Sequence, residues 1–441
     1  MSIIKLLSKK TDKILFTTPS HSQKPMFNTS ISNMYNIDYS EVNGFDNLSN
    51  PKSSIFYAQA KASEIMNAKQ TFFITQGATT AILSAMKALI NPGDKVLVAR
   101  NCHKSVFNGL ILTAGIVDWF IPETDENWGI YTHIDCEKLE STFNLNQYKA
   151  FIMTSPTYEG INSDIEKIAK LCKKFNIYLI VDEAHGTLNN FSSNLPKSAM
   201  EQGADVSINS LHKTAGALNQ CALLNIGNNI QNIDIETFQR AINIFQTSSP
   251  SYPLLSNIEH CINFLNSEDG NKEINGLFCE IDKLKKDLNR FGVQFYVSEN
   301  HDQTKILARK EGISGYDLSE IMFDEFNIED EMNNAISCLY LTGIGTTKSK
   351  LEKLKNGLKK VITNPSYEFV KTDFQPFPLT KIQPVDTFNR EYMYVNKENS
   401  LLKISNKTIM PYPPGIGLLY PGEAIQKWHL DYLDKDVEIM V

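Results

Sequence analysis

Four short stretches of this chain place reactive side chains just beyond a predicted β-strand. In TQGATTA (75–81) a strand runs into a helix that begins at Gly77, Ala78 and Thr79. Its free N–H groups, the helix dipole and the hydroxyls of Thr79 and Thr80 make an anion seat suited to phosphate, although a plain helix cap reads the same way. In NCHKSV (101–106), His103 follows the strand KVLVAR; it can stack on a flat ring, donate a proton, or simply pack. In IVDEAHG (180–186) the apolar run 178–181 ends in Asp182 and Glu183. A carboxylate leaving a buried strand must meet a cation, a metal or a protonated nitrogen. No second acidic or histidine cluster has the spacing to complete a metal site, which leaves an ion pair or a cofactor nitrogen. In SINSLHKT (207–214), Ser210, His212 and Lys213 follow a strand where the chain turns back toward apolar sequence. A lysine desolvated there has a lowered pKa and becomes a nucleophilic amine; a surface lysine is the plainer alternative.

Taken singly these signals are weak. Taken together, an anion seat, a ring-stacking histidine, an aspartate for a ring nitrogen and an imine-forming lysine are what pyridoxal 5'-phosphate requires. Asp182 would keep the pyridine nitrogen protonated, so that the ring accepts electrons from a carbanion at the substrate Cα. Lys213 would hold the aldehyde.

The elements that must position these residues follow a regular alternation. Helical spacing over 54–68 precedes strand 71–75, helix 77–90, strand 95–100, helix 103–114 and strand 117–121. Helix 135–143, strand 149–155, helix 163–175 and strands 178–184 and 204–209 follow. Short apolar strands alternating with helices predict a parallel sheet covered on both faces, with ligands at the carboxyl ends of its strands. Beyond residue 255 the pattern becomes that of a smaller α+β unit: helices 255–267 and 271–291, strands 293–297 and 304–309, an acidic helix 315–332 and strand 334–343. The expected division is an N-terminal arm (1–50), a large cofactor-binding domain (51–255) and a small C-terminal domain (256–441).

Net charge −7 argues against a nucleic-acid or anionic-membrane partner, since both need a basic face; only five arginines occur (Arg100, Arg240, Arg290, Arg309, Arg390). Seven scattered cysteines with no C-x-x-C pair fit reduced thiols, and no apolar run approaches the length of a membrane span. The sequence reads as a soluble cytoplasmic protein.

The sequence resembles the fold-type-I pyridoxal-phosphate enzymes, and within them the ornithine/lysine/arginine decarboxylase family. The matching stretches include TFFITQGATTA, NPGDKVLVARNCHKSVFNGLIL, TSPTYEGI, IVDEAHG, LPKSAMEQGADVSINSLHKTAGALNQCALL, TSSPSYPLL and YPPGIGLLYPGE. The resemblance implies a seven-stranded, mostly parallel sheet with helices on both faces, plus a smaller C-terminal α+β domain. It also implies a homodimer or higher assembly with active sites at the subunit interface. By the same resemblance Lys213 forms the Schiff base, Asp182 pairs with the pyridine nitrogen, His103 stacks on the ring and Ala184 packs under its other face. Gly77, Ala78, Thr79, Ser210 and His212 hold the phosphate, helped by Ser248 or Ser249 of the partner subunit. Thr157 and His185 lie near the ring hydroxyl and the substrate carboxylate, and Glu423 falls in the family's Pro-Gly-Glu element. The chain departs from the family at TPSHSQK (18–24), at Gly77-Ala78-Thr79 and at FDNLSNP (45–51), and it resembles the short form without an N-terminal wing.

The implied activity is decarboxylation of arginine, lysine or ornithine to an amine of the polyamine pathway and CO2. The bond broken is the one held perpendicular to the ring, so the outcome depends on positioning. Aminotransferases of this fold generally clamp the α-carboxylate with an arginine. Only Arg390 lies where such a clamp is plausible, which favours carboxyl loss. Lys213 or His185 would reprotonate Cα. The distal substrate cation would face Glu423, Asp46 or Glu41. An aminotransferase, an aldolase-like lyase and a catalytically silent relative are the alternatives; the joint presence of Lys213 and Asp182 disfavours the last.

Overall fold

The computed structural model describes residues 14–16, 45–410 and 415–441. Most of the predicted arm, the stretch 18–24 and Glu41 lie outside them. Seven strands form the central sheet: β1 (Gln70–Ile74), β2 (Lys95–Ala99), β3 (Ile116–Phe120), β4 (Tyr148–Thr154), β5 (Tyr178–Asp182), β6 (Val206–Ser210) and β7 (Ala222–Ile226). Their order is β1-β7-β6-β5-β4-β2-β3. Adjacent strands are parallel except for β7, which runs antiparallel to both β1 and β6.

The strands are apolar throughout because both faces are covered. Ile152, Ile180 and Ile208 join one core cluster, while their neighbours Phe151, Met153, Leu179 and Val181 join another on the opposite face. Helices α1 (Ser54–Ile65), α2 (Gly77–Leu89), α3 (Lys104–Thr113), α4 (Cys136–Thr142) and α5 (Ile165–Lys174) fall within a few residues of their predicted spans. The chain leaves adjacent strands β2 and β4 in opposite directions, toward β3 and β5. This is the reversal point at which doubly wound sheets bind ligands.

The sequence reading leaves β7 unassigned, along with two helices, Ile235–Phe245 and Lys348–Lys360. Strand β7 explains why the chain re-enters the core after Lys213. Ala222 pairs with Ser210, and the intervening residues fold back over the sheet edge through a one-turn helix, Leu211–Thr214.

The second sheet is antiparallel, in the order Val293–Phe295, Lys305–Lys310, Cys338–Leu341, Met332–Asn333. The acidic helix predicted to reach residue 332 stops at Asp324. Asn327 takes a left-handed φ of 53°, which a continuing helix does not accommodate, and two short strands follow. The C-terminal strands Tyr392–Asn396 and Asp436–Met440 pair with each other. The segment before them docks on β3: Trp119 Nε1 donates to Thr380 Oγ1 at 3.0 Å, and the Val117 amide donates to Gln383 Oε1 at 3.0 Å. No helix among the described residues is long and apolar enough to cross a membrane.

Candidate active site

Lys213 lies in the fold-back between β6 and β7, and its Nζ is 2.8 Å from His185 Nε2. The Tyr158 ring centroid lies 5.4 Å from the same Nζ. Burial lowers the pKa of the Lys213 amine and the charge of Lys305 adds to that, against the opposing pull of Asp182 and Glu331. Asp182 ends β5, with Oδ1 accepting the Ala184 amide at 3.1 Å. Burial raises its carboxyl pKa, and Lys213 counters. Asp182 is bonded to an amide and Lys213 to an imidazole, and the two charges act on each other.

His185 is held neutral, first by burial and then by the cations Lys213 and Lys305. Its ring tilts against Tyr158 with centroids 4.2 Å apart, and Tyr158 donates its hydroxyl to Glu331 Oε1 at 3.0 Å. His103 precedes α3 and caps it: Nδ1 accepts the Ser105 amide at 3.2 Å, which leaves the proton on Nε2. Burial, then Lys213 and Lys104, bring its pKa down to about 4.

At the anion seat, Gly77 has φ of +82°, a backbone that strains any residue with a Cβ, and its amide donates to Gln220 O at 2.8 Å. No side chain caps α2. Ala78 is half-buried and Thr79 exposed. Thr80 belongs less to this seat than its sequence position implies, since its hydroxyl turns back to Gln76 O at 3.4 Å. Ser210 Oγ meets His212 Nδ1 at 3.2 Å. Thr157 Oγ1 accepts the Ile161 amide at 3.2 Å, and Ala184 is buried beside Asp182.

The strand ends also hold buried polar atoms that no group among the described residues satisfies: Thr75 Oγ1, Asn101 Oδ1, Thr154 Oγ1, His185 Nδ1 and Thr214 Oγ1. Buried polar groups are normally paired. Orphans gathered where β1, β2, β4, β5 and β6 end fit a polar, anionic ring cofactor.

Other candidates are engaged by protein partners or face solvent. Glu423 is buried in an ion pair with Arg100 at 3.0 Å and also accepts the Tyr420 amide at 2.7 Å, so its carboxylate is occupied by protein partners. Asp46 accepts the amides of Lys52, Ser53 and Ile55 and so fastens the start of α1. Arg390 is exposed and donates to Asp386 O at 3.1 Å, with no place at the lysine. Ser248 and Ser249 are exposed. Glu183 faces away from Asp182, bonded to the Ala199 amide and to Asn209. The sequence reading missed Tyr158, Glu331, Asp302 and Lys305. Tyr158 stood in a matched motif, but the others come from the second sheet and its loops, where only the fold brings them to Lys213.

The sheet and its strand order are those of the fold-type-I pyridoxal-phosphate enzymes. The lysine decarboxylase of Francisella novicida superposes with a TM-score of 0.78 over 90% of this chain and 69% of its own, at 20% identity. Residues 5–308 match the family described as "Orn/Lys/Arg decarboxylase, major domain", and 368–439 match its C-terminal domain. The arginine decarboxylase of Bacillus anthracis is 30% identical over 97% of this chain and 91% of its own length. That of Bacillus subtilis is 28% identical over 96% and 91%. The chain belongs to the Orn/Lys/Arg decarboxylase family, and it is a decarboxylase of a basic amino acid.

Proposed function

We propose that the chain converts arginine, in preference to lysine or ornithine, to its amine and CO2, with pyridoxal 5'-phosphate held on Lys213. The observation that carries this reading is buried Lys213 at the sheet's carboxyl edge, 2.8 Å from His185 and within the electrostatic reach of Asp182. The cofactor, when bound, supplies an electron sink for the carbanion left at Cα.

The chain's own residues do the rest. Asp182 would pair with the ring nitrogen and keep it protonated. His103, fixed by its cap to Ser105, offers a neutral imidazole face. Gly77, Ala78, Thr79, Ser210 and His212 would hold the phosphate, and Thr157 would serve the ring hydroxyl. His185 or Lys213 returns a proton to Cα. A cavity of about 860 Å³, lined by Glu159, Glu331, Tyr131, Phe377 and Trp428 among others, supplies carboxylates and aromatic faces suited to a cationic substrate. The arginine preference rests on the relatives named arginine decarboxylase.

The exposure of Ser248 and Ser249 suits a homodimer in which they complete the partner's phosphate site. The free cysteines suit a cytoplasmic setting, and the amine product suits polyamine synthesis. The test is a panel of arginine, lysine and ornithine scored for CO2, amine and keto acid. Amine with equimolar CO2, fastest from arginine, supports the reading; keto acid as the main product overturns it.

A further inference from the structure

Lys305 is fully buried, which is rare for lysine. It begins the strand Lys305–Lys310 of the second sheet, and its ammonium has two partners: the carboxylate of Asp302 and the carbonyl oxygen of His185. Asp302 is equally buried; burial alone would raise its pKa, but Lys305 and the Thr304 donors hold it below the usual range. The turn is locked to the large sheet, because the Asp302 amide donates to Gly160 O at 2.8 Å and the Asn162 amide to Asn300 O at 2.9 Å. Gly160 has φ of +98°, and a Cβ there would press on Asp302 O and the Lys305 side chain at 3.1 Å. The loop that carries His185 is therefore pinned from behind by a buried ion pair of another unit.

We infer that Lys305, held by Asp302, is a positioning residue: by anchoring the His185 carbonyl it fixes the imidazole against Lys213 Nζ. A buried ion pair gains little over apolar packing as a stabiliser, so a positional role accounts for its presence better than stability does. This inference rests on the reading of Lys213 as the reactive amine. The groups that face Lys213 are Asp182, Glu331, His185, His103 and Lys305, with the Tyr158 ring beside them.

The test reads the Lys213 amine itself. Trace acetylation of the full chain after hydroxylamine has stripped any bound aldehyde cofactor, followed across pH by peptide mass mapping, gives the midpoint of that amine. Lys305→Met removes a cation and the anchor, and moves the midpoint up by about half a pH unit or more. Asp302→Asn leaves Lys305 uncompensated and moves it down by a similar amount. If one variant fails to fold, the other still carries the test. In a His185→Phe background, each shift falls to about half or less, because the route through the imidazole is gone. A midpoint unchanged in whichever variants fold, or a shift of equal size in the His185→Phe background, overturns the inference. If borohydride instead traps the cofactor on a different lysine, the underlying assignment of Lys213 fails.

Discussion

Lys213 Nζ and His185 Nε2 lie 2.8 Å apart, and burial favours the neutral form of both. A single proton taken up by either group can be handed to the other across this contact with no change in the net charge of the pair. Replacing His185 by Phe keeps the aromatic packing on Tyr158 and removes the exchangeable nitrogen. The expected outcome is retained cofactor absorbance with kcat lowered roughly 10²-fold; steady-state kinetics and a spectrum of the same sample check it.

Asp182→Asn removes the negative charge opposite Lys213 while keeping its shape. If Asp182 is the partner of the ring nitrogen as proposed, that nitrogen loses the group that would keep it protonated, and kcat falls by about 10² or more with a smaller change in KM. A KM change with kcat preserved would mean that Asp182 serves binding alone.

Arg100 is fully buried, paired to Glu423 and stacked within 5.0 Å of Trp119 and 4.6 Å of both Phe377 and Tyr420. Glu423→Ala leaves that guanidinium short of its carboxylate, and the expected loss is about 3–5 kcal/mol of stability. Denaturant unfolding measures it. The ratio of rates on arginine and lysine should stay unchanged, as a structural role requires.

Stability should have a pH optimum. Burial brings His103, His301 and His429 down to about 4. Unfolded histidine titrates near 6.5, so the unfolded chain binds more protons through this window. The stabilisation is complete above about pH 6.5 and is lost as the pH falls through 4. Glu183 behaves oppositely: burial pushes it up to about 8. Its contribution is complete below the ordinary carboxyl value and is lost as the pH rises through 8. Thermal midpoints should peak near pH 6.5 and fall toward about 4.5 and 8.5; a flat profile would contradict these shifts.

Much of this was legible in the sequence, for physical reasons. Strands buried on both faces read as unbroken apolar runs, so β1 to β6 were visible, and residues at their carboxyl ends, Asp182 above all, stood out against them. Strand β7 was hidden because its partner β6 runs antiparallel and the Lys213 fold-back lies between them. Lys305 and Asp302 look like an ordinary turn and strand start. Only packing of the second sheet on the first shows that they reach His185. Glu423 carried a motif but no sign of its partner, because Arg100 lies 323 residues away.

The central claim is that Lys213 carries the cofactor. Borohydride reduction of the purified holoprotein, followed by digestion and mass mapping, tests it in one step. The expected result is a pyridoxyl group on Lys213 and on no other lysine; an adduct elsewhere, or none, would contradict the assignment.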